Sequence, residues 1–330
     1  FKRYQLDKFD SQGDFLSMST NSKYAVHADY AKFRSFPFPF NGIVTALMNQ
    51  LVRFDVFIRQ RTVMAKATQH WVASADRSYF SVYEFRPSNA APDTKLPALV
   101  YYHGGAFVLT YAGSHVTNVL QYANRAQCAV FLVDYRLAPR HIFPKGFEDC
   151  YAALEWVKKE ANWLRIDANR IAVMGDSAGG CFAAGVAQKA FDEKNITLCG
   201  QGLIYPALDN GCSTFSATHF SDAPIFNGVA NKKMWEVYLP DTFINNAPPY
   251  AAPANRQNLS GLAPAYVETA EFDPLRDEGQ AYSTRLVEAG VAVTDNFTQG
   301  TVHGFDMLKK NSLAEDAIKR RSDFLKTVFN

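Results

Sequence analysis

The residues best placed to do chemistry lie in one short run, Met174-Gly175-Asp176-Ser177-Ala178-Gly179-Gly180. Within it, Gly175-Asp176-Ser177-Ala178-Gly179 has the G-x-S-x-G spacing of a nucleophile elbow. A serine hydroxyl is a weak nucleophile until it is lifted clear of the chain and met by a base. A tight strand-to-helix turn does the lifting. It needs small residues beside the serine, where larger side chains would collide with neighbouring backbone. The same turn sets the Ala178 N–H at a helix start, where it can hold developing negative charge. The bland alternative is a glycine-rich turn with an incidental serine. An apolar strand at 171–174 and a small-residue helical pattern after the serine weigh against it.

A second glycine loop lies about 70 residues earlier, in Tyr102-His103-Gly104-Gly105-Ala106-Phe107. An H-G-G loop after a buried strand supplies backbone N–H groups for an oxyanion hole, and glycine lets that backbone approach a substrate. An activated serine also needs a base and a carboxylate that orients it, in the chain order serine, acid, histidine. Only His219 and His303 follow Ser177. His303, in Gly300-Thr301-Val302-His303-Gly304-Phe305, follows the last strand, where ligands sit in open α/β sheets. It is the expected base. His27, His70, His115, His141 and His219 read as ordinary polar groups, and His103 as an anchor of its loop. The expected acid is Asp273, just past a strand and just before Pro274. Glu271 still belongs to that strand and Asp277 to the next helix. The step from Asp273 to His303 leaves room for one helix and one strand, which returns the chain to the same edge. A base that must be unprotonated predicts a single acid limb of activity between roughly pH 5 and 8.

These residues require a frame that brings distant segments to one edge, and the hydrophobic pattern supplies it. Strands are expected at 79–85, 97–102, 128–133, 171–174, 202–205, 265–270 and 292–297. Helices are expected at 147–160, 178–192, 276–289 and 313–329. Alternation of this kind predicts an α/β fold with a mostly parallel central sheet and helices on both faces. Two stretches break it. Residues 1–70 hold no clear strand but many phenylalanines, and residues 207–253 are irregular and rich in proline and glycine. An insertion of that length is usually functional, often a lid.

With Asp134-Tyr135-Arg136-Leu137-Ala138-Pro139 between them, the two glycine loops make the chain resemble the hormone-sensitive-lipase family of α/β hydrolases. That family includes many microbial carboxylesterases, and the resemblance covers roughly residues 79–328. It implies an α/β-hydrolase catalytic domain over 71–330, with a helical cap built from an N-terminal segment, 1–70, and an insertion, 207–253. It implies oxyanion N–H groups on Gly105, Ala106 and Ala178, and it matches Asp273 to the family's D-P-L acid. Two departures stand out. Ala106 replaces the third glycine of H-G-G-G; it keeps the N–H but is strained if that position needs a positive φ. Arg140 stands where the family usually has an acidic residue.

Composition narrows the remaining classes. The chain has 34 Lys and Arg against 32 Asp and Glu, a net charge of +2, and no basic block dense enough for a nucleic-acid groove. No apolar run approaches the ~20 residues that span a bilayer. The five cysteines (128, 150, 181, 199 and 212) form no C-x-x-C pair and read as reduced thiols of a cytoplasmic protein. The chain begins at Phe1, so a removed leader stays open. No ligand cluster or nucleotide motif is present, so neither metal nor organic cofactor is expected. The expected function is a serine carboxylesterase for short- to medium-chain acyl esters, working through an acyl-enzyme on small-molecule substrates. Self-assembly stays open, as do a non-catalytic receptor on the same fold and an amidase or peptidase.

Overall fold

The computed structural model describes residues 23–91, 94–307 and 311–330. One sheet of eight strands carries the molecule, in the order β1-β2-β4-β3-β5-β6-β7-β8. The strands are β1 (Thr68–Ala73), β2 (Tyr79–Phe85), β3 (Leu96–Tyr102), β4 (Ala129–Asp134), β5 (Ile166–Asp176), β6 (Gly200–Ile204), β7 (Ala265–Phe272) and β8 (Val293–Val302). β1, β2 and β4 pair antiparallel, and every other pairing is parallel. The helices are α1 (Gly42–Arg59), α2 (Arg61–Met64), α3 (Gly113–Ala126), α4 (Lys145–Lys159), α5 (Ala178–Glu193), α6 (Phe215–His219), α7 (Gly228–Tyr238), α8 (Arg276–Glu288) and α9 (Ser312–Phe329).

The central strands are apolar throughout because both faces are covered. In β3, Ala98, Val100 and Tyr102 face one core, while Leu99 and Tyr101 face the other. β4 divides likewise, with Phe131 and Val133 on the first side and Val130 and Leu132 on the second. Helices α4, α5 and α8 close the first core through Phe147, Leu154, Phe182 and Leu286. Helices α3 and α9 close the second through Val116, Val119, Ile318 and Leu325. Each such side chain contributes roughly 1.5–3 kcal/mol by leaving water. A buried ion triad crosses the second layer. Arg321 of α9 pairs with Glu268 of β7 and with Asp306 just after β8, and all three side chains are at most 2% exposed. No described helix is long and apolar enough to cross a membrane.

The expected alternation is present, with additions. β1 begins at Thr68, so the last three residues of the 1–70 stretch lie in the sheet. This edge strand has only two buried side chains, His70 and Val72, which is too little alternation to stand out. Helix α3 bridges β3 and β4, where the hydrophobic pattern predicts no element. The 1–70 stretch also contains α1, and the 207–253 insertion contains α6 and α7.

Candidate active site

Five parallel strands deliver the site by their carboxyl ends. His103 follows β3 directly, Ser177 follows β5, Tyr205 follows β6, Asp273 follows β7 and His303 follows β8. Register holds these ends level, with Tyr102 paired to Gly175, Asp176 to Ile204, and Phe272 to Val302.

Ser177 occupies φ 56 and ψ −120, between β5 and α5. A non-glycine residue in such a region costs about 1–3 kcal/mol, and the surroundings must enforce it. They do so on both sides. The Ser177 N–H donates to the Ile204 carbonyl at 2.9 Å, and its own carbonyl accepts from Cys181 and Ala207 at 3.2 and 3.1 Å. The flanking glycines are obligatory on steric grounds. A Cβ on Gly175 would overlap the Gly179 carbonyl, and one on Gly179 would overlap the Tyr102 carbonyl.

The structure brings Ser177, His303 and Asp273 into one hydrogen-bonded line. His303 Nε2 lies 2.8 Å from Ser177 Oγ, and His303 Nδ1 lies 2.8 Å from Asp273 Oδ2. An ionised carboxylate only accepts, so Nδ1 carries the hydrogen and Nε2 is free to accept from the serine hydroxyl. The second Asp273 oxygen accepts the Leu275 N–H at 2.9 Å, which fixes the carboxylate plane. All three residues are buried; Ser177 is 5% and His303 6% exposed. The His303 ring is wedged between Tyr205, 4.9 Å away edge-on, and Phe226, 4.8 Å away. The rejected alternatives are occupied elsewhere. His219 is exposed on α6 and stacks on Phe215. Glu271 accepts the Gly300 N–H at 2.6 Å, and Asp277 pairs with Arg276.

Behind the serine runs the loop from His103 to Thr110. Gly105, Ala106 and Phe107 all have positive φ, at 131, 52 and 61. Ala106 therefore does sit where glycine is favoured, and the loop carries that strain, about 1–2 kcal/mol. Among the described residues, the N–H groups of Gly105, Ala106 and Ala178 meet no hydrogen-bond acceptor, which leaves them free for a ligand oxygen. The loop is held from outside. Asp176, beside Ser177, accepts from the Gly104 N–H at 3.0 Å and the Tyr101 hydroxyl at 2.7 Å, with His115 Nε2 at 3.3 Å. Burial pushes the Asp176 carboxyl up, but His115 and the Tyr101 hydroxyl outweigh it and bring it down to about 2. His103 lies flat on Tyr135 at 4.3 Å, and burial beside His115 drops its imidazole to about 3, so the ring is neutral. Tyr135 donates to the His103 carbonyl at 2.6 Å. From α7, Tyr238 stacks on Phe107 at 3.8 Å. From α1, Asn49 donates to the Val108 carbonyl at 2.8 Å and accepts the Thr110 N–H at 2.9 Å.

Sequence reasoning missed Phe226, Tyr205, His115 and Asn49 as neighbours of the site. Tyr205 was legible as a strand end; the other three lie in elements that only tertiary structure brings there. Among the described residues, no group of three His, Cys, Asp or Glu side chains could hold a metal ion.

Residues 99–307 match the family model of the α/β-hydrolase fold, and the chain belongs to that family. Within it, the chain is a hormone-sensitive-lipase-like carboxylesterase, an ester-hydrolysing enzyme by kinship. It is 38% identical over 219 residues to esterase LipI of Mycobacterium tuberculosis, covering 66% of this chain and 68% of that protein. It is 43% identical over 213 residues to carboxylesterase NlhH of the same organism, covering 64% of this chain and 66% of that protein. Among solved structures, it resembles a bacterial heroin esterase with a TM-score of 0.79 and 31% identity, over 89% of this chain and 95% of the other. It also resembles esterase LipW of Mycobacterium marinum, with a TM-score of 0.81 and 32% identity, over 88% and 92% of the two chains.

Proposed function

We propose that the chain hydrolyses short- to medium-chain carboxylic esters through a serine-bound acyl intermediate. The observation that carries this reading is the line Asp273–His303–Ser177, with both links at 2.8 Å and the serine on a positive-φ turn. Ser177 Oγ attacks the ester carbonyl while His303 Nε2 takes its proton. The carbonyl oxygen becomes an oxyanion, held by the N–H groups of Gly105, Ala106 and Ala178. Collapse expels the alkoxide, which takes the serine's proton from His303 and leaves as an alcohol. Water, deprotonated by His303, then attacks the acyl-serine; the new intermediate collapses, Ser177 Oγ departs and recovers the proton from His303, and the acid is released. Asp273 keeps the imidazole in the working tautomer and stabilises its cationic form.

In this reading residues 23–67 and the 207–253 insertion form a cap that limits acyl length; residues 1–22 of the N-terminal stretch lie outside the described residues. Phe226 against His303, and Phe38 against Phe226 at 5.3 Å, support a short, aromatic-walled pocket. Five unpaired cysteines support a reducing compartment, the cytoplasm. The test is hydrolysis of a p-nitrophenyl ester series from acetate to palmitate, with matched amides. Turnover should peak between acetate and octanoate and be at least about a hundredfold slower on amides. Failure to turn over any ester, or a palmitate maximum, sinks the reading.

A further inference from the structure

Helix α7 reaches from the relay histidine to the glycine loop. Its N-cap, Asn227, follows Phe226, whose ring lies 4.8 Å from that of His303. Toward its far end Tyr238 stacks on Phe107 at 3.8 Å, and the Trp235 ring lies 5.7 Å from the same phenylalanine. Phe107 adjoins Ala106. The 11 residues of α7 cover about 16 Å. Ser177 lies between the two landmarks, since its strand β5 stands between β3, which leads into the loop, and β8, which leads into His303. Asn231 is one turn before Trp235 and two before Tyr238, so it shares their face of the helix. That face carries no charge: Lys232, Lys233 and Glu236 are exposed on the other sides.

Among the described residues, nine buried side-chain polar atoms meet no hydrogen-bond partner, and four of them belong to this one face: Asn231 Oδ1 and Nδ2, Trp235 Nε1 and Tyr238 Oη. Buried polar groups are normally paired, because leaving water without a partner costs free energy. Asn231 is the sharpest case. It is 0% exposed, and its carboxamide has an acceptor and two donors to satisfy and satisfies none of them. Its buried neighbours on the helix, Ala230 and Met234, are apolar. A leucine of similar size would fill the position without that cost, so the fold itself makes no use of the amide. The site it faces is closed: Ser177 and His303 are 5% and 6% exposed. An ester held there is shut off from water, and any polar group it carries must be met by the protein.

We propose that Asn231 determines specificity: its carboxamide holds a neutral hydroxyl on one arm of the ester, so that short hydroxylated esters are preferred to plain alkyl ones. A hydroxyl donates and accepts at once, which matches Oδ1 and Nδ2 together, and the uncharged face disfavours an ionic group. A site built to hydrogen-bond a hydroxyl discriminates far more strongly than an apolar pocket does by size. The proposal rests on the ester-hydrolase reading, so its test separates the two. The full chain, Asn231→Leu and Asn231→Ala are compared by acid release from ethyl butyrate, ethyl 3-hydroxybutyrate and 2-hydroxyethyl butyrate, which place the hydroxyl on neither arm, the acyl arm and the alcohol arm. The wild type should show kcat/KM at least about tenfold higher on one hydroxylated ester than on ethyl butyrate, and the ester concerned identifies the arm. Both variants should lower that ratio at least about tenfold, and Asn231→Leu should melt no lower than the wild type, because it replaces an amide without partners. A wild type that turns over ethyl butyrate and favours neither hydroxylated ester overturns the proposal and leaves the esterase reading standing. A ratio that survives in both variants overturns it too, as does a loss of rate on all three esters in equal proportion, which marks the amide as part of the framework. Absence of turnover on all three and on p-nitrophenyl butyrate sinks the esterase reading instead.

Discussion

The serine turn and the glycine loop at 103–110 lie side by side at the site, and both hold non-glycine residues at positive φ, yet they are enforced differently. Ser177 is held by its own neighbourhood: glycines at 175 and 179 permit close approach, and backbone bonds lock both sides of the residue. The loop at 103–110 is held by side chains that arrive from Asp176, Tyr135, Tyr238 and Asn49, on four separate parts of the chain. One turn is locked by main-chain bonds, with its steric demands falling on adjacent glycines, and the other depends on side chains from across the fold. Damage to the first should therefore be local and absolute in its effect on chemistry, whereas damage to the second should be graded.

The largest effect tests the local half. Ser177→Ala should lower kcat by at least about 10⁴-fold while the melting temperature stays within about 2 °C, because only the attacking atom is lost. His303→Ala should fall in the same range and His219→Ala should stay within about twofold, both read from p-nitrophenyl butyrate kinetics. Equal losses in the two histidine variants would show that the relay is not the sole source of the rate.

Next comes Asp176, which belongs to both regions. Its carboxyl is held down to about 2, below the ~3.9 of an unfolded chain. A depressed carboxylate adds stability that is complete above about pH 4 and disappears as pH falls through about 2. The difference corresponds to about 2–3 kcal/mol. Asp176→Asn should remove about that much at pH 7 and flatten the decline of stability between pH 4 and 2. Urea denaturation across that range measures both, and a mutant with an unchanged acid decline would remove Asp176 from this role.

A smaller effect is expected at Asn49. Asn49→Ala removes two hydrogen bonds to the loop, each worth about 1 kcal/mol. With the loop less firmly held, kcat should drop about tenfold and KM should stay within about twofold. A rise in KM alone would mean that α1 shapes binding and leaves the loop unaffected. The smallest effect should come from Ala106→Gly. Relief of the positive φ at 52 should raise stability by about 0.5–1 kcal/mol, with kcat within about threefold because the N–H remains. Destabilisation would show that the Ala106 methyl packs well enough to outweigh its strain.

The same contrast explains what could be read from the sequence. The sheet was legible because a strand buried on both faces must be a continuous apolar run, as in PALVYY and CAVFLV. The serine turn was legible because its steric demands fall on adjacent residues. Asp273 and His303 were legible once chain order was imposed, since few histidines follow the serine. Helix α1 was not, because its most apolar side faces outward: Leu51 and Phe54 are exposed, while the polar Asn49 grips a loop. His115 reads as an ordinary polar group, and nothing nearby in the sequence marks it as the partner of Asp176, 61 residues away.

The buried triad of Arg321, Glu268 and Asp306 ties the placement of His303 to the C-terminal helix. His303 stands three residues before Asp306, and Asp306 is neutralised only when α9 docks with Arg321 in place. The relay itself joins residues 126 apart in the chain, a contact that loop-closure entropy makes slow to form. The working position of His303 thus depends on a docked C-terminal helix, which makes α9 part of the catalytic frame although it carries none of the three relay residues.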